Sequence, residues 1–195
     1  MIAQELKSNK NKIVNGPLLL IPQIYKDQRG LFFESWNQEK FNSIVGDDII
    51  FLQDNHSQSF KGVLRGLHYQ INPYSQGKLI RSPLGSIFDV IVDLRENSST
   101  YGEWIGVELN STEHNQLWIP AGFAHGFLSI SEIVYVQYKT TSYWKSDFER
   151  SLLWNDQLIN INWPLEKINI SYPFLSKKDS LAMTFKDLEG KGDIF

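Results

Sequence analysis

The sequence predicts an all-β protein, a sandwich or barrel of short strands with small peripheral helices. From about residue 49 onward, short runs rich in Val, Ile, Phe, Tyr and Trp are separated by Gly, Pro, Asn, Asp or Ser at the spacing of all-β folds. Aromatic residues make up 13% of the 195-residue chain, and such side chains favour pleated surfaces. Helical signal is thin: the best early segment is 37–45, short and closed by Gly46.

Taken in order, 18–24 reads as a strand ended by the turn signal Lys26-Asp27-Gln28-Arg29-Gly30, and 31–36 resumes as a second extended segment. Further strands are expected at 50–55, 63–70, 76–82, 86–95, 103–109, 115–119, 126–130 and 133–140. Within 88–94, Phe88, Val90, Val92 and Leu94 alternate with Asp89, Ile91 and Asp93, so one face carries carboxylates. Inward carboxylates need partners. After Trp144 the pattern loosens, 175–188 suits short helices, and the end is expected to lie as a flap across the barrel. No repeat, low-complexity tract or Pro/Ser-rich linker divides the chain, so 1–195 is read as one domain.

A net charge of -3 and a pI near 5.8 give no field for holding polyanions, so nucleic acid is not an expected partner. A small anionic ligand held by local arginines stays open. The absence of cysteine removes disulfides, thiolate metal sites and cysteine nucleophiles together, which suits a reducing compartment. No leader-like N-terminus and no 18-residue apolar stretch occur, so a cytoplasmic protein with no membrane partner is expected.

Two of the four histidines sit in glycine-flanked apolar segments, 64–70 and 119–127. Glycine weakens a strand and often marks close backbone approach, so a histidine beside it looks placed. A satisfied core histidine is the alternative for His68. Its company weighs against that: Arg65, His68, Tyr69 and Gln70 crowd one segment, and Arg65 and His68 are too polar to bury unpaired. His125 follows a Pro-Gly turn, where a barrel mouth would offer it to substrate or metal. By spacing, His68 and His125 are two possible metal ligands on a cupin-like barrel. The usual pattern there is His-x-His followed by a carboxylate, however, and position 70 is Gln, so no metal is expected.

Lys78 lies in an apolar segment and a buried lysine requires a partner; Asp89 on a neighbouring strand would supply one, as a working group or as a simple cross-strand ion pair. Tyr138 alternates with Val134 and Val136, and an inward phenol can donate a proton, although a core tyrosine with a bonded hydroxyl is commoner. Histidine, tyrosine, lysine and carboxylate together are the parts for proton transfer at carbon next to a carbonyl. Composition does not select that chemistry over other barrel chemistry.

A more specific pointer comes from ordered motifs: Asp27-Gln28-Arg29-Gly30, Phe32-Phe33-Glu34-Ser35, Gln53-Asp54-Asn55-His56-Ser57, the 62–70 segment, Gln76-Gly77-Lys78-Leu79-Ile80-Arg81, Phe88-Asp89-Val90, Val92-Asp93-Leu94-Arg95, the 119–127 segment and Trp154-Asn155-Asp156. Through them the chain, from about Pro22 to Asp179, resembles the dTDP-4-dehydrorhamnose 3,5-epimerases, the RmlC-type sugar-nucleotide epimerases. The resemblance implies a cupin-type jelly-roll β-barrel, a homodimer exchanging N-terminal strands, and catalysis without metal or other cofactor. The implied reaction inverts C3 and C5 of dTDP-4-dehydro-6-deoxy-D-glucose, the two carbons flanking the C4 ketone.

Carried over position by position, the resemblance implies His68 as base and Asp179 as the carboxylate that orients it. Tyr138 is the implied acid on the opposite ring face, and Lys78 stabilises the enolate oxygen with Asp89 holding its charge. His125 lines the pocket. Arg65 is implied near the diphosphate, and Gln53, Asn55, Glu34 and Arg29 around the thymidine, some of them from a partner subunit. Trp144 stands where the family often has tyrosine, which alters the aromatic wall and leaves a single-centre epimerase as an alternative. A non-catalytic sugar-nucleotide-binding barrel is a further one. Residues 1–16 are longer and more polar than the family core requires, either a strand arm or a disordered segment.

Overall fold

The strand-forming runs pair into two antiparallel sheets that face each other. The structure, a computed structural model, describes residues 1–46 and 48–195. In chain order its strands are β1 (Ile2–Lys7), β2 (Ile13–Ile21), β3 (Ile24–Asp27), β4 (Gly30–Phe33), β5 (Gln53–Phe60), β6 (Leu64–Gln70), β7 (Lys78–Leu84), β8 (Ser86–Asp93), β9 (Trp104–Asn110), β10 (Gln116–Ile119), β11 (Phe123–Ser129), β12 (Ile133–Thr140) and β13 (Glu149–Ser151). Three short helices accompany them: α1 (Gln38–Val45), α2 (Lys177–Ser180) and α3 (Phe185–Lys191). One sheet has the order β1-β2-β10-β7-β12-β5, the other β13-β6-β11-β8-β9, and β3-β4 forms a separate hairpin. This is a jelly-roll barrel of the cupin type.

Between the sheets, Ile80, Leu117, Val134 and Val136 from one side meet Ile87, Ile91, Ile105, Leu109, Phe123 and Phe127 from the other. The outer face of the smaller sheet is buried too. Val90, Val92, Leu94, Ala124 and Leu128 pack there against Leu152, Trp154, Ile159, Trp163, Phe185 and Leu188 from the chain's last third. Burial on both faces explains why 88–94 is apolar on its even positions and still carries Ile91 on the odd ones. The expected flap is corrected by the same packing: the tail covers the outside of a sheet, because its aromatics complete that face, and only 174–179 reaches the barrel opening.

Residues 1–16 form a paired strand hairpin, not a disordered segment. Gly16, with φ +110, and Pro17 sit where the β1–β2 register shifts, so the missing N–H of proline falls at an irregularity. The hairpin turn is tied down from afar, since buried Glu103 accepts Ser8 Oγ at 2.6 Å and Lys12 Nζ at 2.6 Å. α1 starts at its cap Asn37, whose side chain accepts from Lys40 N, and ends at left-handed Gly46, as its sequence predicts.

Several strands differ from expectation: β2 runs Ile13–Ile21 where 18–24 is expected, Lys26 and Asp27 of the expected turn lie in β3, β5 is centred later than 50–55, and β11 begins at Phe123 rather than 126. His125 therefore lies inside a strand, not on the turn before it.

Candidate active site

β6 and β11 are neighbours, and their register sets His125 directly opposite His68. The two glycine-flanked segments thus meet across one ladder, and the glycines are what allow it. A Cβ at Gly66 would lie 2.5 Å from Gly126 Cα and 2.7 Å from the His125 carbonyl oxygen, so only bare backbone fits. Both histidines face a cavity of about 490 Å³ between the sheets. The smaller sheet contributes Arg65, His68, His125 and Phe127, the larger contributes Ser57, Lys78 and Tyr138, and the 174–179 segment closes the rim with Phe174, Lys178 and Asp179.

Each histidine gives Nε2 to its own carboxylate. His68 Nε2 is 2.5 Å from Asp179 Oδ1, and His125 Nε2 is 2.9 Å from Asp89 Oδ2. Asp89 belongs to β8, beside β11, and is fully buried. Burial pushes its carboxyl upward against the pull of His125 and Lys78, and burial likewise holds His125 below the ordinary imidazole value. At neutral pH His125 is therefore the uncharged imidazole. Asp179 is different. Burial alone would raise it, but the hydrogen bond and charge of His68, then Ser176 and Lys178, outweigh burial and hold it below the usual carboxylate range.

The expected Lys78–Asp89 cross-strand pair is not formed. β7 and β8 lie in different sheets, so the two residues face each other across the barrel interior instead of along one ladder. Lys78 Nζ donates to the His68 carbonyl oxygen at 3.0 Å, while Asp89 acts on it through charge alone and stands behind His125, outside the cavity lining. Burial drives the Lys78 ammonium down to about 8, opposed by Asp89 and Glu149. Tyr138 is pushed above the ordinary phenol value by burial, which keeps its proton on oxygen.

Arg65 reaches the same cavity with Nε donating to Ser59 Oγ and Nη2 to the Gln58 carbonyl. Trp144 lies on the rim, its backbone N–H donating to Gln53 Oε1, and Gln53 in turn donates to Asn55 Oδ1. Asn55 lines an adjoining hollow of about 280 Å³ that shares Tyr138 with the main cavity. Arg29 and Glu34 are not brought to either space. Arg29 forks onto Asp27 at the tip of the β3-β4 hairpin, and Glu34 pairs with Lys40. Around them Tyr25, Leu31 and Phe32 are exposed.

Sequence reasoning missed Glu149 and Lys178, which join at 2.5 Å across the rim, and Ser57, whose buried Oγ has no partner among the described residues. Glu149 follows the loosened stretch after Trp144 and carries no local signal. For the rim helix a signal existed: Ser176-Lys177-Lys178-Asp179 has the spacing of a helix start. Gln70, weighed as an absent metal ligand, instead spans Lys145 N, the Tyr74 carbonyl and the Tyr143 carbonyl, which fixes the segment carrying Trp144.

A two-sheet barrel with a His–Asp pair, a lysine and a protonated phenol around one cavity defines an acid–base enzyme of the cupin type. The sequence profile of the dTDP-4-dehydrorhamnose 3,5-epimerase family matches residues 11–187, and the chain belongs to that family. The enzyme of that name from Pseudomonas aeruginosa is 49% identical over 172 residues, covering 88% of this chain and 92% of the relative. The rmlC epimerase of Mycobacterium tuberculosis superposes with a TM-score of 0.93 at 35% identity, covering 100% of this chain and 93% of that one. The Legionella pneumophila 3,5-epimerase in complex with dTDP-4-keto-L-rhamnose superposes with a TM-score of 0.87 at 37% identity, covering 97% and 96%. Among the described residues, no helix is long and apolar enough to cross a membrane.

Proposed function

We propose that the protein inverts C3 and C5 of dTDP-4-dehydro-6-deoxy-D-glucose to give dTDP-4-dehydro-L-rhamnose, with His68 as base and Tyr138 as acid. The observation that carries this is their placement on facing walls of one cavity, His68 from β6 and Tyr138 from β12. Inversion needs that opposition, since a proton returned from the face it left would restore the starting centre. Product bound to the Legionella relative supports the substrate.

Asp179 occupies His68 Nε2, so that nitrogen carries the hydrogen and Nδ1 is left to accept the proton from carbon. The ionised Asp179 then stabilises the imidazolium, as a carboxylate does in any such dyad. The C–H electrons move toward the C4 oxygen, where the Lys78 ammonium meets the developing charge. Tyr138 gives its proton to the carbon from the other side, and solvent resets both groups before the second centre reacts. Arg65 suits the diphosphate because its fork matches two oxygens at once. Gln53 and Asn55, beside the adjoining hollow, and Trp144 on the rim suit the thymidine and sugar.

The active form is proposed to be a homodimer in which the exposed β3-β4 hairpin reaches the partner, taking Arg29 and Glu34 to its nucleotide. Its exposed Tyr25, Leu31 and Phe32 support that reading. NMR in deuterium oxide tests the reaction, comparing the wild type with His68→Ala and Tyr138→Phe. Deuterium at both C3 and C5 with L-rhamno product, from the wild type only, is the expected result. Incorporation at one carbon would make the protein a single-centre epimerase, and none at either carbon would overturn the proposal.

A further inference from the structure

The last third of the chain contains the same four-residue pattern twice, and the two copies behave differently. Thr184 and Asp187 open α3 as a reciprocal cap: Thr184 Oγ1 accepts from Asp187 N, and Asp187 Oδ2 accepts from Thr184 N and Oγ1, all exposed. Ser176 and Asp179 open α2 at the same spacing. Ser176 Oγ again accepts from the aspartate N–H, at 3.1 Å, but the carboxylate makes no bond to the Ser176 N–H. Its Oδ1 goes to His68 at 2.5 Å and its Oδ2 takes the Ser176 hydroxyl proton at 2.8 Å. The reciprocal cap has been given up, and the freed carboxylate is turned inward.

We infer that Ser176 is a positioning residue for the reaction, fixing the rotation of the Asp179 carboxylate so that one oxygen always faces His68. This rests on the His68–Asp179 reading above and deepens it. A hydroxyl has one proton, and Ser176 commits it to Oδ2 at 2.8 Å while its oxygen accepts the Asp179 N–H at 3.1 Å, so the carboxylate is held from both sides by one residue. Nothing else does this job among the described residues. Lys178, which acts on Asp179 through its charge, gives its ammonium to Glu149 and makes no bond to the Asp179 carboxylate. With Oδ2 released, the carboxylate is free to swing about its last torsion, and the imidazole it orients swings with it.

Substitution at Ser176 separates positioning from helix capping. Ser176→Gly keeps a tolerated cap residue and removes the hydroxyl, Ser176→Ala removes both, and Ser176→Thr keeps the hydroxyl. For Ser176→Gly the expected result is a loss of roughly ten-fold or more in kcat, the size set by one hydrogen bond to a charged group, with KM and dTDP affinity held within about two-fold. Ser176→Thr restores the rate. The acidic limb of the kcat/KM profile moves to higher pH in Ser176→Gly and Ser176→Ala, because the Asp179 carboxylate, stripped of the donor that helps hold it low, keeps its proton to higher pH. The groups facing Asp179 in that titration are His68 on β6, Lys178 on its own turn and, through Lys178, Glu149 on β13.

Wild-type kcat in Ser176→Gly, or a loss that Thr does not restore and that leaves the acidic limb in place, would overturn the inference and leave Ser176 a helix cap. Deuterium exchange by His68→Ala, run alongside, isolates the larger reading. Activity surviving there would mean the dyad itself is wrong, whereas a dead His68→Ala beside an unaffected Ser176→Gly sinks only the role of Ser176.

Discussion

The two histidine–carboxylate pairs are opposite one another on the same ladder, yet they are built for different ends. Asp89 reaches His125 from inside the sheet, so the pair is sealed: the His125 side chain is 9% exposed and Asp89 0%. Asp179 reaches His68 from a helix at the rim, which leaves His68 29% exposed. A carboxylate brought in from outside the sheet can orient an imidazole without covering it, and a base must stay reachable by the carbon it deprotonates. The sealed pair holds a neutral imidazole steady against the cavity. The largest expected effect follows from this contrast. His68→Ala should lose about 10³-fold or more of the deuterium-incorporation rate at C3 and C5, the scale of a general base. His125→Ala should lose about 10–100-fold, the scale of an orienting hydrogen bond. Equal losses in parallel NMR assays would erase the distinction between the pairs.

Lys78 ties the pairs together, since it donates to the His68 carbonyl and lies in the field of Asp89. As the cation proposed to meet a developing C4 oxyanion, it should cost about 10²–10³-fold in kcat when changed to Ala, the range for one oxyanion donor. KM should change little, because the charge it meets arises only in the transition state. A loss confined to KM would move Lys78 from catalysis to substrate binding. Its depressed proton affinity adds a pH signature. The ammonium is present below about 8 and lost above it, so kcat/KM should fall as pH rises through that value.

What the sequence made legible was whatever one strand or one turn encodes. β12 falls at 133–140 as expected because its alternation is unbroken and its ends are marked, and α1 has both caps written in Asn37 and Gly46. β11 starts three residues before the expected 126 because the Pro-Gly turn ends at Gly122 and 123–125 already pair with β8, which no local signal shows. In the fold Gly126 is inside the strand, bare so that Gly66 can approach. The sequence of the N-terminal hairpin does not choose between arm and disorder because its anchor, Glu103, is 95 residues from Ser8. The site divides the same way. His68 and His125 stand out locally through their glycines, whereas Asp179 emerged only by resemblance, 111 residues from its histidine. The Lys78–Asp89 pairing failed for a related reason: alternation says that both side chains point inward, but not that their strands belong to opposite sheets.

The smallest expected effect is the sharpest probe of how the sealed pair serves the open one. Asp89→Asn keeps an oxygen to accept from His125 Nε2, so the imidazole stays oriented and kcat at neutral pH should fall only a few-fold, about the difference between a charged and a neutral hydrogen bond. The charge is another matter. The Asp89 charge does most to raise the Lys78 proton affinity against burial, and a neutral amide removes it. With the raising charge gone, the folded-state value for Lys78 drops below about 8, and the ammonium is lost at lower pH than in the wild type. The alkaline limb of kcat/KM should therefore move toward neutrality in Asp89→Asn. In Lys78→Arg, whose guanidinium stays protonated throughout, any residual activity should lack the limb. An alkaline limb that stays in place in Asp89→Asn would mean that Asp89 serves His125 alone and that the two walls of the cavity are electrostatically independent.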